Sequence, residues 1–186
     1  MGARERIVSA GATVLAMSPD GEIAVRELCE AAEVTPATVN QYFGDRVGLL
    51  TAIIEHSFGE YLEATATLPD HLDPVEELTY RWDAHLEFAR RQPTQYRAMF
   101  APGVLASETV LARIHEQLLD SLDRCAAQRR LAVPREDAAR LITSSCVGVA
   151  LSMLAGDPAA PDSAAASRLR DTVLAAVTGS VSQPAA

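Results

Sequence analysis

The chain has 186 residues, of which 48% are hydrophobic and only 5% aromatic, and its formal net charge at pH 7 is −9. This length fits one large domain or a small head with a larger body, and the apolar fraction excludes a disordered chain. Residues 1–4 lead into a charged amphipathic segment, and no apolar run reaches the roughly 18 residues of a membrane span, so we expect a cytoplasmic protein outside the membrane.

The first predicted helix runs from about Arg4 to Met17, and the turn-forming residues 18–21 end it. Spacings of three and four residues are typical of one apolar stripe on an amphipathic helix. We expect this stripe to close a small core over the next two helices; its members are Ile7, Ala10, Gly11, Val14 and Leu15.

Two short helices joined by a tight turn are predicted next. The first carries an apolar stripe of Val25, Leu28, Cys29 and Ala32. The second begins at Pro36, with Thr35 as its N-cap, and ends at about Phe43. Because only Glu33 and Val34 separate the two helices, the chain must cross sharply, which is the helix-turn-helix arrangement.

The second short helix carries an uncharged polar face. Val39 and Phe43 are spaced to point inward, whereas the other positions are small or can form hydrogen bonds: Ala37, Thr38, Asn40, Gln41 and Tyr42. Such side chains suit base edges and phosphate oxygens in a major groove. The same pattern also fits an ordinary solvated helix face, and the spacing alone leaves both interpretations open.

The cap, core and turn positions of a single motif follow one another in this stretch without a shift in spacing. They are Leu28-Cys29, Ala32-Glu33-Val34, the run TPATVNQYF over residues 35–43, Arg46 and Leu49-Leu50. Over residues 4–60 the chain therefore resembles the N-terminal domain of TetR-family transcriptional regulators. The resemblance implies an all-α fold of about nine helices. A three-helix helix-turn-helix DNA-binding head would span residues 1–46, and a helical ligand-binding and dimerisation bundle residues 47–186. The implied DNA contacts are Arg26, Thr35, Pro36, Thr38, Asn40, Gln41, Tyr42 and Arg46.

Three positions depart from the family pattern. Glu33 stands where the family usually has Gly, and a side chain in the left-handed conformation expected there costs about 1 kcal/mol. Asn40 replaces a Tyr that contacts a phosphate in the family, and Asn can still donate to phosphate or read adenine. Arg46 replaces a Lys and preserves a cation for the DNA backbone.

The head is acidic, which is unfavourable for a DNA-binding protein. Residues 1–46 contain four arginines and seven acidic residues, a net charge of −3. Phosphate attraction follows local charge, so the arginines must face the DNA while the acidic residues face away. We therefore expect weak non-specific binding and a shallow dependence on salt.

A ligand pocket is predicted among the next helices, over about residues 46–67, 74–92, 108–130 and 135–155. Trp82 and His85 lie one turn apart on an inward face, and a polar ring among large apolar side chains suits a small-molecule pocket. A core histidine with one satisfied hydrogen bond is the alternative. The predicted lining is Phe58, Tyr61, Trp82, His85, Leu86, Phe100, Leu111, His115, Leu118 and Cys146.

The last two predicted helices, at about residues 135–155 and 163–181, have more apolar and small surface than one chain can cover. The first is apolar or small all round and must be buried on two sides. The apolar stripe of the second is Leu169, Val173, Ala176 and Val177. We expect a homodimer in which these helices form a four-helix bundle, and the family dimerises in the same way.

Three cysteines, Cys29, Cys125 and Cys146, lie far apart and form no CxxC pair. Their number and spacing argue against a disulfide scaffold and against a metal site, and their places on apolar stripes predict buried, inert thiols. The sequence contains no nucleophile–base pair and no Gly-rich phosphate loop. We therefore predict no enzyme activity and no cofactor.

Two functions remain from these observations. The first is a ligand-responsive repressor that binds a palindromic double-stranded DNA operator and is released by a small hydrophobic effector. The alternative is a helical dimer of the same ancestry whose acidic head has lost DNA reading and binds a protein partner.

Overall fold

Nine α-helices make up the regular structure of the residues described by the computed structural model, which are 2–18, 21–66, 68, 72–100, 106–156 and 160–179, with the backbone alone for 60 and 106–109. The helices are α1 (Ala3–Met17), α2 (Val25–Ala32), α3 (Pro36–Phe43), α4 (Arg46–Ala66), α5 (Pro74–Arg91), α6 (Pro93–Ala98), α7 (Ala106–Ala127), α8 (Arg135–Leu154) and α9 (Ser163–Thr178). The all-α prediction is confirmed.

Local capping signals explain where several helices begin. The Thr35 hydroxyl accepts a hydrogen bond from the backbone N–H of Thr38 at 3.2 Å, with Pro36 at the first helical position of α3. Asp162 caps α9 in the same way, accepting from the N–H of Ala165 at 2.7 Å. These bonds satisfy backbone donors that have no partner inside the helix, so the helix starts could be read from the sequence.

The chain divides into two compact units. The first, unit 1, comprises residues 1–63 and 91–112, and the second, unit 2, comprises residues 64–90 and 113–186. The divisions fall near the ends of α4 and α5 and inside α7, and α6 belongs to unit 1. These units are defined by compactness, whereas the predicted boundary at residue 46 divides a DNA-binding head from a ligand-binding bundle. That boundary stays a prediction.

Unit 1 is built on α1. Its fully buried side chains include Ile7, Leu15, Leu28, Ile53, Ile54, Phe58 and Tyr96. Gln95 of α6 donates a side-chain hydrogen bond to the carbonyl of Ala12 in α1 at 3.3 Å. At Gly11 the backbone approaches α4 so closely that a Cβ atom would lie 2.3 Å from Cδ1 of Ile53. Val25 was predicted to be buried but is 41% exposed, because it is the first residue of α2.

A hydrophobic core in unit 2 is formed by α5, α7, α8 and α9. Its larger members are Leu78, Trp82, Leu118, Leu122, Cys125, Ile142, Cys146, Val149, Leu174 and Val177. All three cysteines of the chain are free and buried, as predicted. Burial raises the pKa of the thiols of Cys125 and Cys146, which keeps both protonated and unreactive at neutral pH.

The helix α8 is buried on one side only within a single chain. Of the helices in the described ranges, it is the one long and apolar enough to cross a membrane by length and composition, with a mean hydropathy of 1.3. Core helices of globular proteins have the same length and composition. Only 33% of its most apolar 18-residue window is buried, and Leu141 is 46% exposed.

The inward face of α9 differs from the predicted stripe. Ala166, Leu174 and Val177 are buried, whereas Leu169 is 39% exposed. Ala176 is exposed as well. The helix has two apolar faces, and within the described ranges packing covers only the face of Ala166, Leu174 and Val177.

Replacing Gly11 with Ala tests the contact between α1 and α4. Ile53 is fully buried and cannot move aside freely, so the added methyl group lowers the free energy of unfolding by about 1–3 kcal/mol. At Gly59, the matched control, a Cβ atom meets nothing within 4 Å, and Gly59→Ala raises the free energy of unfolding by up to about 1 kcal/mol. Urea denaturation measures both changes. Equal stability of Gly11→Ala and wild type would contradict the close contact.

Candidate functional site

The turn between α2 and α3 is closed by a left-handed residue. Glu33 has φ 53° and ψ 51°. Its N–H donates to the carbonyl of Glu30 at 3.4 Å, and the N–H of Val34 donates to the carbonyl of Cys29 at 3.0 Å. This is the pair of bonds by which a glycine usually ends a helix. The backbone of Glu33 thus adopts a left-handed conformation that favours glycine, as the family pattern at this position indicated.

The helix α3 presents its uncharged polar face outward. Val39 is 4% exposed and anchors the opposite face. Asn40, Gln41 and Tyr42 are exposed, and the exposed fraction of Tyr42 is 47%. Donors and acceptors on this face are therefore available to a molecule outside unit 1.

The remaining predicted contacts of α3 lie at its N-terminus. Thr35 and Pro36 are exposed and Thr38 is half-buried. The hydroxyls of Thr35 and Thr38 are 3.0 Å apart and share a hydrogen bond. A helix N-terminus presents backbone N–H groups that suit a phosphate oxygen.

A close backbone contact fixes α3 against α4. Gly44 has a positive φ of 74°, and the carboxylate of Asp45 accepts a hydrogen bond from the N–H of Gly48 at 2.8 Å. A Cβ atom at Gly48 would lie 2.2 Å from the carbonyl oxygen of Phe43. Gly48 is therefore required by the junction of α3 and α4. The sequence signalled it only as a glycine inside a predicted helix.

Both arginines predicted to contact DNA are paired with carboxylates of unit 1. Nε of Arg26 lies 3.0 Å from Oε1 of Glu30, one turn further along α2. Arg46 at the start of α4 forms an ion pair with Glu22. All four side chains are more than half exposed, so solvent screens both pairs.

The two arginines of α1 have structural contacts. The guanidinium of Arg4 lies 5.6 Å from the ring centroid of Phe43, within the range of a cation–π contact. Nε of Arg6 donates to the carbonyl of Ala32 at 3.4 Å, at the C-terminal end of α2 where a cation is favoured. These contacts tie α1 to the ends of both short helices.

The predicted ligand residues are divided between the two units. Unit 1 holds Phe58, Tyr61, Phe100 and Leu111, and unit 2 holds Trp82, His85, Leu86, His115, Leu118 and Cys146. Phe58 is fully buried, and its ring meets that of Tyr61 edge-on with the centroids 6.2 Å apart. Phe100 is 38% exposed.

Within unit 2 the structure brings together four of the predicted ligand residues. Trp82, Leu118 and Cys146 belong to one buried cluster, and Leu86 packs at its edge. Sγ of Cys146 lies 3.9 Å from the carbonyl oxygen of Trp82. We call this group the Trp82 cluster.

The inward orientation predicted for His115 is wrong. His115 is exposed, whereas Val110 is 2% and Leu118 7% exposed. Residues 110 and 118 of α7 are buried, and residue 114 between them is half-buried, so the inward stripe runs at intervals of four residues. His115 lies about 100° further round the helix than residue 114.

Trp82 and His85 of α5 each carry a buried polar group. The indole Nε1 of Trp82 has no hydrogen-bond acceptor among the described residues, although leaving such a donor unpaired costs about 1–3 kcal/mol. Nothing in the sequence could indicate this orphaned donor. His85 is 7% exposed, and burial lowers its pKa from 6.5 to about 4, so the ring is neutral at pH 7.

The described part of the chain contains no group of three or more His, Cys, Asp or Glu side chains that could hold a metal ion.

Comparison with known proteins supports the fold over most of the chain. Residues 78–177 match the family model of tetracyclin repressor-like C-terminal domains. The fold is similar to that of GusR from Salmonella enterica, at 21% identity, with 94% of this chain and 95% of the other covered and a TM-score of 0.68. No curated protein matches the sequence significantly.

Two further solved structures share the fold. One is the fatty acid degradation regulator FadR from Bacillus halodurans, at 15% identity, 94% and 95% coverage and a TM-score of 0.75. The other is a bacterial regulatory protein in the tetR family from Rhodococcus RHA1, at 19% identity, 95% and 97% coverage and a TM-score of 0.66. Identities this low support the fold alone, so the chemistry of each site is argued from the residues of this chain.

The buried His85 makes stability depend on pH. Unfolded His85 binds a proton below about pH 6.5, whereas the folded ring stays neutral until about pH 4. The unfolded state therefore holds more protons between these values, and the free energy of unfolding falls by about 2 kcal/mol from pH 7 to pH 5. Urea unfolding at both pH values measures the loss. His85→Gln reduces it, whereas the exposed control His56→Gln does not. The same loss in His85→Gln and wild type would contradict the assignment.

Proposed function

Because the chain belongs to the TetR family, we propose that it is a cytoplasmic, ligand-responsive repressor that is released from a palindromic DNA operator by a small hydrophobic effector. Regulators of this family bind operators and effectors and form dimers. The observation that carries the proposal is the exposed, uncharged face of α3, held by a helix-turn-helix and fixed against α4.

The proposed DNA contacts come from α3 and its surroundings. Asn40 and Gln41 offer amide groups of the type that bind adenine edges, and the hydroxyl of Tyr42 suits a phosphate oxygen. Thr35 and Thr38, with Pro36 between them, place the N-terminus of α3 towards a phosphate. Arg26 and Arg46 supply the cations.

The proposed dimer interface lies on the uncovered faces of α8 and α9. Leu141 and Leu169 are the exposed large apolar side chains of these helices. The helix α8 also carries small residues, among which Gly148 has nothing within 4 Å of its Cβ position. Two copies packed through these faces form a four-helix bundle. The two α3 helices then read operator half-sites about one DNA turn or slightly more apart.

The Trp82 cluster is the proposed effector site. Its apolar side chains suit a hydrophobic molecule, and the orphaned indole N–H of Trp82 favours one with a hydrogen-bond acceptor. Buried, neutral His85 adds a second polar group. Release from DNA needs only an effector that prefers one of two conformations, with a coupling of about 1–3 kcal/mol.

The pairing of the arginines favours a second candidate, in which the acidic head binds a protein partner instead of DNA. Arg26 and Arg46 each face a carboxylate of their own chain. If unit 1 reads DNA, these carboxylates compete with phosphate. Glu22→Gln then tightens DNA binding. It also steepens the slope of log affinity against log salt concentration by about one, because one more cation contacts a phosphate. A head that has lost DNA reading gives no DNA binding in either form.

Alanine substitution at Gln41 or Tyr42 tests the reading face. Each change removes a contact worth about 1–3 kcal/mol and weakens binding to DNA from upstream of the gene by about tenfold or more. Fluorescence anisotropy at low salt measures the affinity. Tyr80 is the matched control, because it is 43% exposed on α5 against 47% for Tyr42, and Tyr80→Ala leaves the affinity unchanged. Wild-type affinity in both Gln41→Ala and Tyr42→Ala would refute the assignment.

Substitution of Gly148 by Arg tests the dimer. A Cβ atom at this position meets nothing within 4 Å, whereas a large cation on the proposed interface is buried against the partner, so the protein becomes a monomer. Analytical ultracentrifugation gives the mass, and circular dichroism confirms retained helix. The control Ala126→Arg, at an exposed position of α7, stays dimeric. If Gly148→Arg and Leu169→Arg both remain dimers, the interface lies elsewhere.

A further inference from the structure

A polar cavity of about 240 Å³ lies in unit 2, apart from the Trp82 cluster. It is formed by the C-terminal end of α4, residues 68 and 72, the first two turns of α5 and the middle of α7. The lining residues are Ala66, Leu68, Leu72, Glu77, Arg81, Gln117, Asp120 and Arg124. None of them is used by the proposed DNA, dimer or effector surfaces.

Glu77 is the buried centre of the polar wall. It is 3% exposed. Its carboxylate accepts hydrogen bonds from Nη2 of Arg81 at 2.8 Å, Oγ of Ser121 at 2.8 Å and Nε of Arg124 at 3.1 Å. Burial alone would raise the pKa of Glu77, but bonds from Arg124, Ser121 and Arg81 lower it below its ordinary value. Glu77 is therefore ionised, and both of its carboxylate oxygens accept hydrogen bonds from these side chains.

The two arginines have more donors than this carboxylate can use. Arg81 also donates from Nη1 to Oε1 of Gln117 at 3.0 Å, which locks its guanidinium in place. Arg124 binds Glu77 through Nε and Nη2, and its Nη1 has no hydrogen bond to another described residue. The guanidinium side chain of Arg124 is 50% exposed. Two positive charges thus share one buried negative charge beside an open cavity.

The remaining lining limits what can bind there. Asp120 is the other acidic residue in the lining and is exposed, so a ligand with several negative charges is repelled. Ala66, Leu68 and Leu72 provide an apolar wall. The volume is below the roughly 300–1,000 Å³ of pockets for drug-sized molecules, so the ligand is small.

We propose that this cavity binds a small monocarboxylate with a short hydrocarbon chain. Its carboxylate accepts hydrogen bonds from the free edge of Arg124, beside the fixed guanidinium of Arg81, because arginine donors match carboxylate geometry. Its hydrocarbon chain lies against Leu68 and Leu72. The site is independent of the proposed repressor function, since it shares no residue with the reading face or the Trp82 cluster.

Calorimetric titration of the full-length protein with hexanoate tests the proposal. Hexanoate binds with a dissociation constant that Arg124→Gln raises at least tenfold, while Glu77 keeps Arg81 and Ser121 as partners. Arg113→Gln is the matched control, because Arg113 is exposed on α7 and outside the cavity lining. Hexanamide, the uncharged analogue, binds at least tenfold more weakly than hexanoate.

A second variant leaves the ion-pair cluster intact. Leu72→Glu places a carboxylate in the apolar wall and weakens hexanoate binding by charge repulsion. Equal binding of hexanoate and hexanamide, unchanged binding by Arg124→Gln and Leu72→Glu, or no binding at millimolar hexanoate would each overturn the proposal. DNA titrations on the same proteins keep the two questions apart, because DNA binding that persists without hexanoate binding refutes the carboxylate site alone.

Discussion

The close contact between Gly48 and the carbonyl of Phe43 is the constraint on which the candidate reading surface depends. It leaves no room for a Cβ atom, so the first turn of α4 lies directly against the last turn of α3. The cap that Asp45 places on Gly48 closes the same junction. Because α3 has only eight residues and is too short to be stable alone, its orientation is set by this junction and by the buried Val39.

The sequence predicted the helices well because their ends carry local chemical signals. Thr35-Pro36 begins α3, and Glu33 adopts the left-handed conformation that its place in the turn required. Exposure of Asn40, Gln41 and Tyr42 followed from helical spacing. What the sequence could not supply depends on residues far apart in the chain. The ion pair of Arg46 with Glu22 and the orphaned N–H of Trp82 are of this kind.

Apolar helices were harder to interpret than amphipathic ones. On α9, several faces could be the inward one, and the predicted stripe included Leu169, which is exposed. On α7, His115 lay one position off the buried stripe. The buried cluster around Glu77 was not foreseen, because a glutamate in the first turn of a helix ordinarily serves the helix dipole on the surface. The arginine and serine brought by α7, together with Arg81 of α5, compensate for its burial.

In the proposed complex, two copies of this chain present two α3 helices to one palindromic operator. A footprint on the DNA upstream of its own gene, at low salt and with and without a panel of small hydrophobic molecules, tests this most directly. We expect two protected half-sites related by two-fold symmetry, about one helical turn or slightly more apart, with protection lost in the presence of at least one of the molecules. Absence of any protected DNA at low salt would contradict it.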